Sequence, residues 1–421
     1  MKIKYHKLYK SSDFEWLGDI PEHWKTKRLK DIAKIIDCKN RTPEYFDDGE
    51  YLVIRTSNVR DGRINLDNPS FTNESNFLEW TKRGVPPLGS ILFTREAPAG
   101  EVCLVPSEYK SCLGQRMMNF IPNKNDYSIY LLYYFLSCRT KCYLGSITSG
   151  STVHHLRIPQ VFDIPVIVPP LLEQKTIAHY LDTKTAQIDR KIDLLTQKAT
   201  LYSNLKQSLI NETVTRGLDK TVPMKDSGIE WIGEVPKHWK IKRVKELFEI
   251  SRGRVIALTK LVEDGHYPVY SSQTKDNGCL GYINTFDYEG EYVTWTTDGV
   301  NAGTVFMRRG QFNCTNICGT LKLKSKKQSI TYFSYSLQVS TRHNKRIDTN
   351  GAKIMSNEMA FIQIVAASLS EQEAIADYLD TKTAQIDQII QTINTQIEKL
   401  KELRKTLIND VVTGKIKIVD N

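Results

Sequence analysis

Few residues of this chain have the types and spacing that catalysis requires. The pattern (Asp/Glu)-x-Lys, which occurs in nuclease active sites, is present at Glu108–Lys110, Asp182–Lys184 and Asp380–Lys382. The last two are copies of each other within strong helical patterns, so we interpret them as positions on a helix surface. His154 and His155 are candidates for acid–base chemistry, but no nucleophile or metal set accompanies them. The chain has neither a Walker A motif nor a Gly-x-Gly-x-x-Gly fingerprint, and we predict no catalytic site.

The eight cysteines indicate neither a disulfide framework nor a metal site. Cys138 and Cys142 are four residues apart, as are Cys314 and Cys318, but no histidine pair stands at ligand spacing beside them. We therefore expect reduced thiols, no metal ion and no cofactor bound by this chain. The sparse cysteines, the lack of an apolar N-terminal segment and the lack of a membrane-length apolar run predict a cytoplasmic protein.

Polar and basic side chains cluster in the predicted loops, and these are the side chains that hydrogen-bond base edges and phosphates. Any one of them alone is more often a solvated surface residue, so the prediction rests on the set. The DNA-binding candidates of the first half are Arg55, Ser57, Asn58, Arg60, Arg95, Arg116, Ser149, Ser151, Thr152, His154 and His155. Those of the second half are Arg252, Arg254, Ser272, Gln273, Lys275, Arg342, Lys345, Arg346 and Lys353.

A long internal repeat indicates which elements position these loops. Residues 10–30 and 225–245 are identical at 12 of 21 positions and share the motif E-W-x-G-x-x-P-x-H-W-K-x-K-R. Residues 171–189 and 369–387 are identical at 15 of 19 positions, including YLDTKTAQID throughout. The segments between the motifs show little similarity. Each half is therefore a constant head, a variable domain and a constant helix, which is a tandem duplication of a whole domain.

The second repeated motif opens a long helical pattern in each half. Apolar residues recur at steps of three, four and seven from Ile177 to Leu209 and from Ile375 to Val411. Gly217 and Gly414 mark the predicted helix ends. We expect two helices of about 40 residues, roughly 60 Å long, that pair antiparallel as a coiled coil with the variable domains at opposite ends. The alternative is that each helix packs only on its own domain.

The variable segments, 36–170 and 251–368, mix strand-like runs, turns and a few helical patches. The predicted strands are 51–54, 90–93, 101–105, 164–168, 292–296, 303–306, 320–323 and 361–365, with a buried helix over 127–138. The predicted fold class is α/β (α+β): two α/β domains with mixed sheets, joined by the two helices. The predicted divisions are a first domain (1–170), a first spacer helix (171–216), a second domain (217–368) and a second spacer helix with a tail (369–421).

Composition adds little to these patterns. The 421 residues are 40% hydrophobic and 25% charged, as in globular proteins, and the net charge of +10 suits a polyanionic partner. The first variable segment is neutral, however, and the second carries +5. Net charge alone is therefore a weak indication of DNA binding.

The repeated head and the segment P-P-L-L-E-Q…Y-L-D-x-K at 169–189 resemble the specificity (S) subunit of type I restriction–modification systems. The stretch ILFTREAPAG at 91–100 resembles that family as well, and the resemblance covers essentially the whole chain. The second half departs from the pattern, because Ala366-Ala367-Ser368 replaces the prolines and WTTDG at 295–299 replaces the Thr-Arg-Glu stretch. These departures concern how closely the second domain follows the first, and they do not change the resemblance to the family.

The resemblance implies a non-catalytic subunit whose two variable domains are target recognition domains, each reading half of a bipartite, asymmetric DNA site. It implies two methyltransferase subunits that use S-adenosylmethionine to methylate adenine, and two restriction–translocase subunits that use ATP and Mg²⁺. The expected methyltransferase-contact residues are Trp16, Trp24, Tyr180, Asp182, Trp231, Trp239, Tyr378 and Asp380. The alternatives are a tandem protein-interaction scaffold that does not bind DNA, and a stand-alone nuclease.

Overall fold

The computed structural model describes residues 2–123, 127–148, 155–348 and 351–419. The chain divides into two compact units, Met1–Leu195 with Thr395–Asn421, and Thr196–Asn394. Both long helices cross this boundary, so each unit contains the start of one long helix and the end of the other. None of the described helices combines the length and apolarity that a membrane crossing requires.

The helices are α1 (Leu29–Ile32), α2 (Glu74–Trp80), α3 (Tyr127–Leu136), α4 (Cys138–Ile147), α5 (Ile158–Phe162), α6 (Leu171–Arg216), α7 (Val244–Leu247), α8 (Ile330–Asn344), α9 (Ser356–Phe361) and α10 (Leu369–Val412). The strands before α6 are β1 (Lys2–Lys4), β2 (Tyr9–Ser11), β3 (Asp19–Pro21), β4 (Lys25–Arg28), β5 (Ala33–Asp37), β6 (Tyr51–Ile54), β7 (Val59–Arg60), β8 (Arg63–Ile64), β9 (Phe71–Thr72), β10 (Ile91–Thr94), β11 (Val102–Leu104), β12 (Ser111–Leu113), β13 (Met117–Pro122) and β14 (Pro165–Val168). The strands after it are β15 (Met224–Asp226), β16 (Glu234–Pro236), β17 (Lys240–Arg243), β18 (Phe248–Arg252), β19 (Tyr267–Tyr270), β20 (Cys279–Ile283), β21 (Tyr288–Thr296), β22 (Val305–Cys314), β23 (Cys318–Leu323), β24 (Arg346–Asp348), β25 (Gly351–Lys353), β26 (Gln363–Ala366) and β27 (Lys417–Val419).

The first unit is built on a four-stranded antiparallel sheet in the order β11-β10-β13-β5. A second sheet, β12-β6-β9, contains the parallel pair β12–β6. Phe93 and Phe120 of the first sheet pack with Phe135 of α3 in the core, with ring centroids 4.9–5.7 Å apart. The antiparallel pair β4–β14 joins the head motif to the strand that leads into α6.

The second unit has one six-stranded sheet in the order β18-β23-β21-β22-β19-β20, with the parallel pair β19–β22. Trp295 of β21 and Phe248 of β18 pack in a core with Phe333 of α8. The antiparallel pair β17–β26 repeats β4–β14 of the first unit. The mixed sheets and the two long helices confirm the predicted α/β class.

The two long-helix segments run antiparallel within each unit. In the first unit Ile408, near the end of α10, shares a core with Ile177, near the start of α6. Arg404, one turn earlier on α10, places its Nε 3.0 Å from Asp189, three turns further along α6. The segments therefore pair in opposite directions, as the heptad pattern predicts.

The second unit repeats this pairing with the helices exchanged. Lys206 of α6 contacts the Asp387 carboxylate of α10 with Nζ–O distances of 2.6 and 2.7 Å. Leu205 and Leu403, which the heptad pattern places near the seam, are instead 53% and 52% exposed. The neighbouring basic residues, Lys206 and Arg404, supply the contact between helices at these two turns. Periodicity alone does not distinguish an apolar seam contact from an ion pair one residue later.

The head motif is fixed to the start of each long helix by the same three side chains. In the first unit Trp24 Nε1 donates a hydrogen bond to Glu173 at 2.9 Å, and His23 Nε2 lies 2.6 Å from the other carboxylate oxygen. In the second unit Trp239 and His238 contact Glu371 at 3.0 and 2.9 Å. We call each set of three residues a clasp. Both clasp tryptophans are buried.

A tyrosine of each unit contacts two residues of the YLDTKT motif, its aspartate and its last threonine. Tyr133 Oη donates to the Asp182 carboxylate at 2.7 Å, and Tyr335 Oη donates to Asp380 at the same distance. The threonine three residues after each aspartate contacts the same tyrosine hydroxyl. Burial raises the pKa of both tyrosines, so each hydroxyl keeps its proton and acts as a donor.

The glycine after each long helix packs against a head motif. We call the head motif and the two long-helix segments of a unit its frame. Gly217 and Gly414 have φ angles of 78° and 75°, in the left-handed region that favours glycine. A Cβ on Gly217 would lie 3.1 Å from the Trp239 ring, and one on Gly414 would lie 2.9 Å from the Trp24 ring. The end of each helix therefore packs on the clasp tryptophan of the other repeat, within one unit.

Three predicted element boundaries are wrong. The buried helix predicted over 127–138 is present as α3 but ends at Leu136, because Ser137 breaks the pattern and its Oγ accepts a hydrogen bond from the Thr140 amide as the N-cap of α4. Phe361 ends helix α9 instead of beginning a strand. Gly303 lies in a turn with φ of 82°, and the strand begins at Val305. All three errors fall at the ends of elements, where capping and turn geometry determine the boundary.

Replacing Gly217 with alanine should destabilise the second unit by about 1–3 kcal/mol, because strain at positive φ adds to a close contact with a rigid ring. Gly228→Ala is the matched control, since Gly228 also has positive φ (72°) but nothing lies within 4 Å of its added Cβ. Denaturant unfolding of the full chain measures both. Equal losses for the two variants would contradict a packing role for Gly217.

The clasp of the second unit should make stability depend on pH. Desolvation would raise the pKa of Glu371, but hydrogen bonds from Ser368, Trp239 and His238 outweigh it and lower that pKa to about 2. The charged carboxylate therefore stabilises the fold above its ordinary pKa of 4.5, and this contribution is lost as pH falls from 4.5 towards 2.

Glu371→Gln should consequently reduce the free energy of unfolding at neutral pH, and the difference from the unmodified chain should shrink between about pH 4.5 and pH 2. Unfolding curves at a series of pH values measure this, with the exposed Glu373→Gln as control. A difference that stays constant with pH would argue against the charged clasp.

Candidate nucleic-acid interface

Three basic candidates of the first unit lie together where three neighbouring strands of the sheet end or begin. β10 ends at Thr94, β13 begins beside it at Met117, and β5 ends at Asp37. Just beyond these ends, the Arg95 amide donates to the Arg116 carbonyl at 2.9 Å. We call residues 37–38, 95–96, 116–117 and 155–156 the first rim.

His155 joins the first rim through the backbone. It forms an isolated antiparallel bridge with Glu96, and the amide of Leu156 donates to the Arg95 carbonyl at 2.9 Å. The sheet edge therefore holds two arginines and a histidine from three separate segments of the chain. The sequence-predicted residues Arg95, Arg116 and His155 are brought together here.

The two arginines of the first rim differ in their exposure. Arg95 Nε lies 3.3 Å from Asp37, and the two side chains are 11% and 15% exposed. Desolvation raises the pKa of Asp37, although Arg95 and Arg83 act in the opposite direction. Arg116 Nε lies 2.9 Å from Glu96 and its side chain is 44% exposed. Arg95 is thus a buried support, whereas Arg116 can exchange its partner for a ligand.

The remaining candidates of the first unit have different surroundings. Arg55 follows β6 and donates to the Asn68 carbonyl at 2.8 Å, and Ser57 beside it is exposed. Asn58 is 4% exposed and bonds the Arg55 amide and the Asn65 carbonyl, so it supports the loop and offers no surface. Arg60 is exposed in the β7–β8 hairpin. Ser149, Ser151, Thr152 and His154 lie outside the described residues.

The second unit builds an edge with the same backbone pattern. The Thr297 amide donates to the Ile317 carbonyl and the Ile354 amide donates to the Thr297 carbonyl, both at 2.9 Å. Asp298 forms an antiparallel bridge with Lys353, as Glu96 does with His155. We call residues 252–253, 297–298, 317–318 and 353–354 the second rim.

The two rims carry different side chains on this shared backbone. Strand order β10-β13-β5 in the first unit corresponds to β21-β23-β18 in the second. Where the first rim has Arg95 and Arg116, the second has Thr297 and Ile317, and Lys353 replaces His155. Sequence comparison misses this equivalence because the hydrogen bonds are made by backbone atoms that any residue supplies.

Four further candidates of the second unit lie at or near its rim. Arg252 Nε donates to the Asn316 carbonyl at 2.5 Å, and Arg254 Nε lies 2.7 Å from Asp287. Ser272 accepts from the Asn301 side chain through its carbonyl at 2.9 Å. The Gln273 side chain donates to the Cys279 carbonyl.

Three other basic candidates of the second unit are exposed. They are Lys275, Arg342 and Lys345. Arg342 and Lys345 line an open groove with Gly303 and Phe306. Arg346 Nε pairs with Glu358 at 2.8 Å.

One arginine of the second unit has a structural role that its sequence context does not reveal. Arg308 is 2% exposed, stacks 3.5 Å from the Tyr270 ring centroid and donates to the Asn277 carbonyl at 2.7 Å. It orders the turn that carries Ser272, Gln273 and Lys275. Its flanking sequence gives no signal, because a buried arginine and an exposed one look alike in a strand.

The residues predicted to contact a methyltransferase fall into two groups. Trp24, Tyr180 and Trp239 are buried and lack the exposed surface that contact with a partner needs. The others retain partial or full exposure: Trp16, Asp182, Trp231, Tyr378 and Asp380. Trp16 stacks on Tyr143 at 4.2 Å and Trp231 stacks on His343 at 4.8 Å, so each presents one ring face at most.

Comparison with known protein sequences identifies the family. The family model for the type I restriction modification DNA specificity domain matches residues 21–199 and 236–399, one match in each repeat. A putative type I specificity subunit of Mycoplasma pneumoniae is 32% identical over 57% of this chain and 92% of its own length. A putative type I restriction enzyme specificity subunit of Methanocaldococcus jannaschii is 24% identical over 98% of both chains.

Solved structures share the fold at lower identity. A chain from a type I restriction–modification system, studied for its complex assembly and conformational transition, matches with a TM-score of 0.71 at 14% identity, over 93% of this chain and 98% of that one. The HsdS subunit of Thermoanaerobacter tengcongensis matches with a TM-score of 0.52 at 14% identity, over 94% and 98%. The chain therefore belongs to the type I restriction–modification DNA specificity family, whose members are the non-catalytic, sequence-recognising subunits of these systems.

Proposed function

We propose that each rim binds one half of a bipartite, asymmetric DNA site. The observation that carries this proposal is the pair of matching sheet edges, which hold unlike side chains on one backbone pattern. Two copies of one edge with different side chains would dock on the double helix in the same way and read different bases. The chain would thereby recognise a DNA site that is not a palindrome.

The free energy needed to break the ion pair of each rim arginine indicates whether that arginine can contact DNA or instead supports the rim. Breaking an exposed ion pair such as Arg116–Glu96 costs about 0–1 kcal/mol, so Arg116 can turn to a guanine edge or a phosphate. Freeing Arg95 would leave the largely buried Asp37 charge with only the more distant Arg83, whose Nη1 is 3.9 Å away, and removing the nearer partner of such a charge costs several kcal/mol. We therefore assign base or phosphate contact to Arg116 and to His155, and positioning to Arg95.

The second rim offers a different set of donors. Lys353 stands where His155 stands in the first unit, Arg252 ends β18 in the same rim, and Lys275 is exposed in the turn after β19. Lysine is a point charge suited to phosphate, whereas Thr297 at the rim centre is small and neutral. We infer that the second half-site is read mainly through the loops around 271–275 and 342–346.

We further propose that the exposed parts of the frame bind two methyltransferase subunits, which use S-adenosylmethionine, and that restriction subunits add ATP- and Mg²⁺-dependent cleavage, all in the cytoplasm. Two nearly identical frames support two identical partners. Asp182 and Asp380, exposed and held by tyrosine hydroxyls, would be fixed acidic contacts for those partners.

Arg116→Ala should weaken binding of the DNA site by about 1–3 kcal/mol and relax sequence preference in one half-site only. Mapping of methyladenine across the genome, in cells that express the chain with its methyltransferase, measures this. Arg28→Ala is the matched control, because Arg28 also sits in an exposed ion pair, with Asp163 at 3.0 Å, but on β4 outside the rim. Changes in both half-sites, or none, would count against a rim contact.

Removing one heptad from each long helix, around the boundaries at Leu195/Thr196 and Asn394/Thr395, should shorten the gap between half-sites by roughly three base pairs. Seven residues of helix span about 10 Å, and each base pair rises about 3.4 Å. The half-sites themselves should not change. A chain with the same heptads replaced at equal length is the control, and an unchanged gap after the deletion would refute a spacing role.

A further inference from the structure

We propose that the clasp of the first unit, together with His6 of the N-terminal segment, binds one divalent transition-metal ion, with Zn²⁺ as the fitting cation. One ligand atom from each of His6, His23 and Glu173 lies within 4.8 Å of the others. No other group of three such residues is found within the described part of the chain. The site goes beyond DNA recognition and does not depend on it.

His6 has a feature that a purely structural role leaves unexplained. The residue is 8% exposed, and its Nε2 is buried with no hydrogen-bond partner among the residues that the structure describes. Buried polar atoms almost always have a partner, and one that lacks it points to an ion or a ligand. The ring lies 5.5 Å from that of His23 and 5.4 Å from that of Trp24, centroid to centroid.

The donor set suits zinc. Two imidazole nitrogens and one carboxylate oxygen are ligands of Zn²⁺ at about 2.0–2.2 Å, with water completing a tetrahedron. The ion would replace the proton now shared between His23 and Glu173 at 2.6 Å, and the three groups would shift by about an ångström to meet it. The second oxygen of Glu173 already accepts from Trp24 Nε1 at 2.9 Å. That hydrogen bond would orient the carboxylate for the metal.

The second unit is an internal control, because it has the clasp without the extra histidine. His238, Trp239 and Glu371 repeat the contacts of the first unit. At the repeat offset of the head motif, the residue that corresponds to His6 is Thr221. With two protein ligands instead of three, this clasp should hold no zinc at comparable affinity. The chain should therefore bind one ion and not two.

A metal ion here would join three segments that are distant in sequence. His6 lies between β1 and β2, and β1 pairs with the C-terminal strand β27. His23 belongs to the head motif and Glu173 to the first turn of α6. The ion would fasten both chain ends to the frame of the first unit, and its free energy of binding would add to the stability of that unit only.

The test is metal binding by the full-length chain after removal of bound metal with a chelator. Titration with Zn²⁺ by calorimetry should give one equivalent, and Co²⁺ should give the visible absorption of a tetrahedral N/O site. His6→Ala should abolish both signals, and His238→Ala should leave both unchanged. Sequence-specific DNA binding by His6→Ala with the methyltransferase should persist, which separates this proposal from the function of the rims.

Glu173→Gln is a second test of the site, which applies even if His6→Ala does not fold. Glutamine keeps an acceptor for Trp24 Nε1 but loses the anionic ligand, so zinc binding should fall at least tenfold while the circular dichroism spectrum is retained. Absence of a stoichiometric Zn²⁺ signal, two equivalents per chain, or binding that survives His6→Ala would each overturn the proposal.

Discussion

A hydrogen bond from the indole N–H of a buried tryptophan to a glutamate in the first helical turn holds each unit together. Such a bond to a charged acceptor contributes about 1.5–3 kcal/mol. It joins the head motif to the start of one long helix, while the glycine that ends the other long helix packs against the same indole. Trp24 and Trp239 therefore fix where the sheet of each unit stands on its helix pair, and the rims depend on that placement.

The repeated residues are best explained by these internal contacts. Tyr133 and Tyr335 donate to the aspartates of the YLDTKT motif, and Gln174 and Gln372 are fully buried and donate to the carbonyls of residues 169 and 367. Identity between the two repeats thus reflects one way of fastening a domain to a helix. The Asp-Thr-Lys stretch of the motif, at 182–184 and 380–382, is exposed, and it is the part available to partner subunits.

The two variable domains carry different side chains on one backbone hydrogen-bond pattern. Arg95 and Thr297 occupy the same place in the same hydrogen-bond pattern, and so do His155 and Lys353. Because the pattern uses backbone amides and carbonyls, side chains at the edge are free to differ without loss of the sheet. The inner position differs as well, because Arg95 pairs with the largely buried Asp37, whereas Thr297 is fully buried.

The sequence alone determined the duplication, the antiparallel helices, the α/β class and the family, because those follow from repeated motifs and periodic apolar residues. It also predicted Arg95, Arg116 and His155 as candidate DNA-binding residues, but it did not distinguish them from the buried Asn58. Only the tertiary structure decided which tryptophans are core, which arginines are paired, and that His6, His23 and Glu173 meet. Those outcomes depend on contacts between residues that are far apart in the chain, such as His6 and Glu173, 167 positions apart, and local spacing carries no information about such contacts.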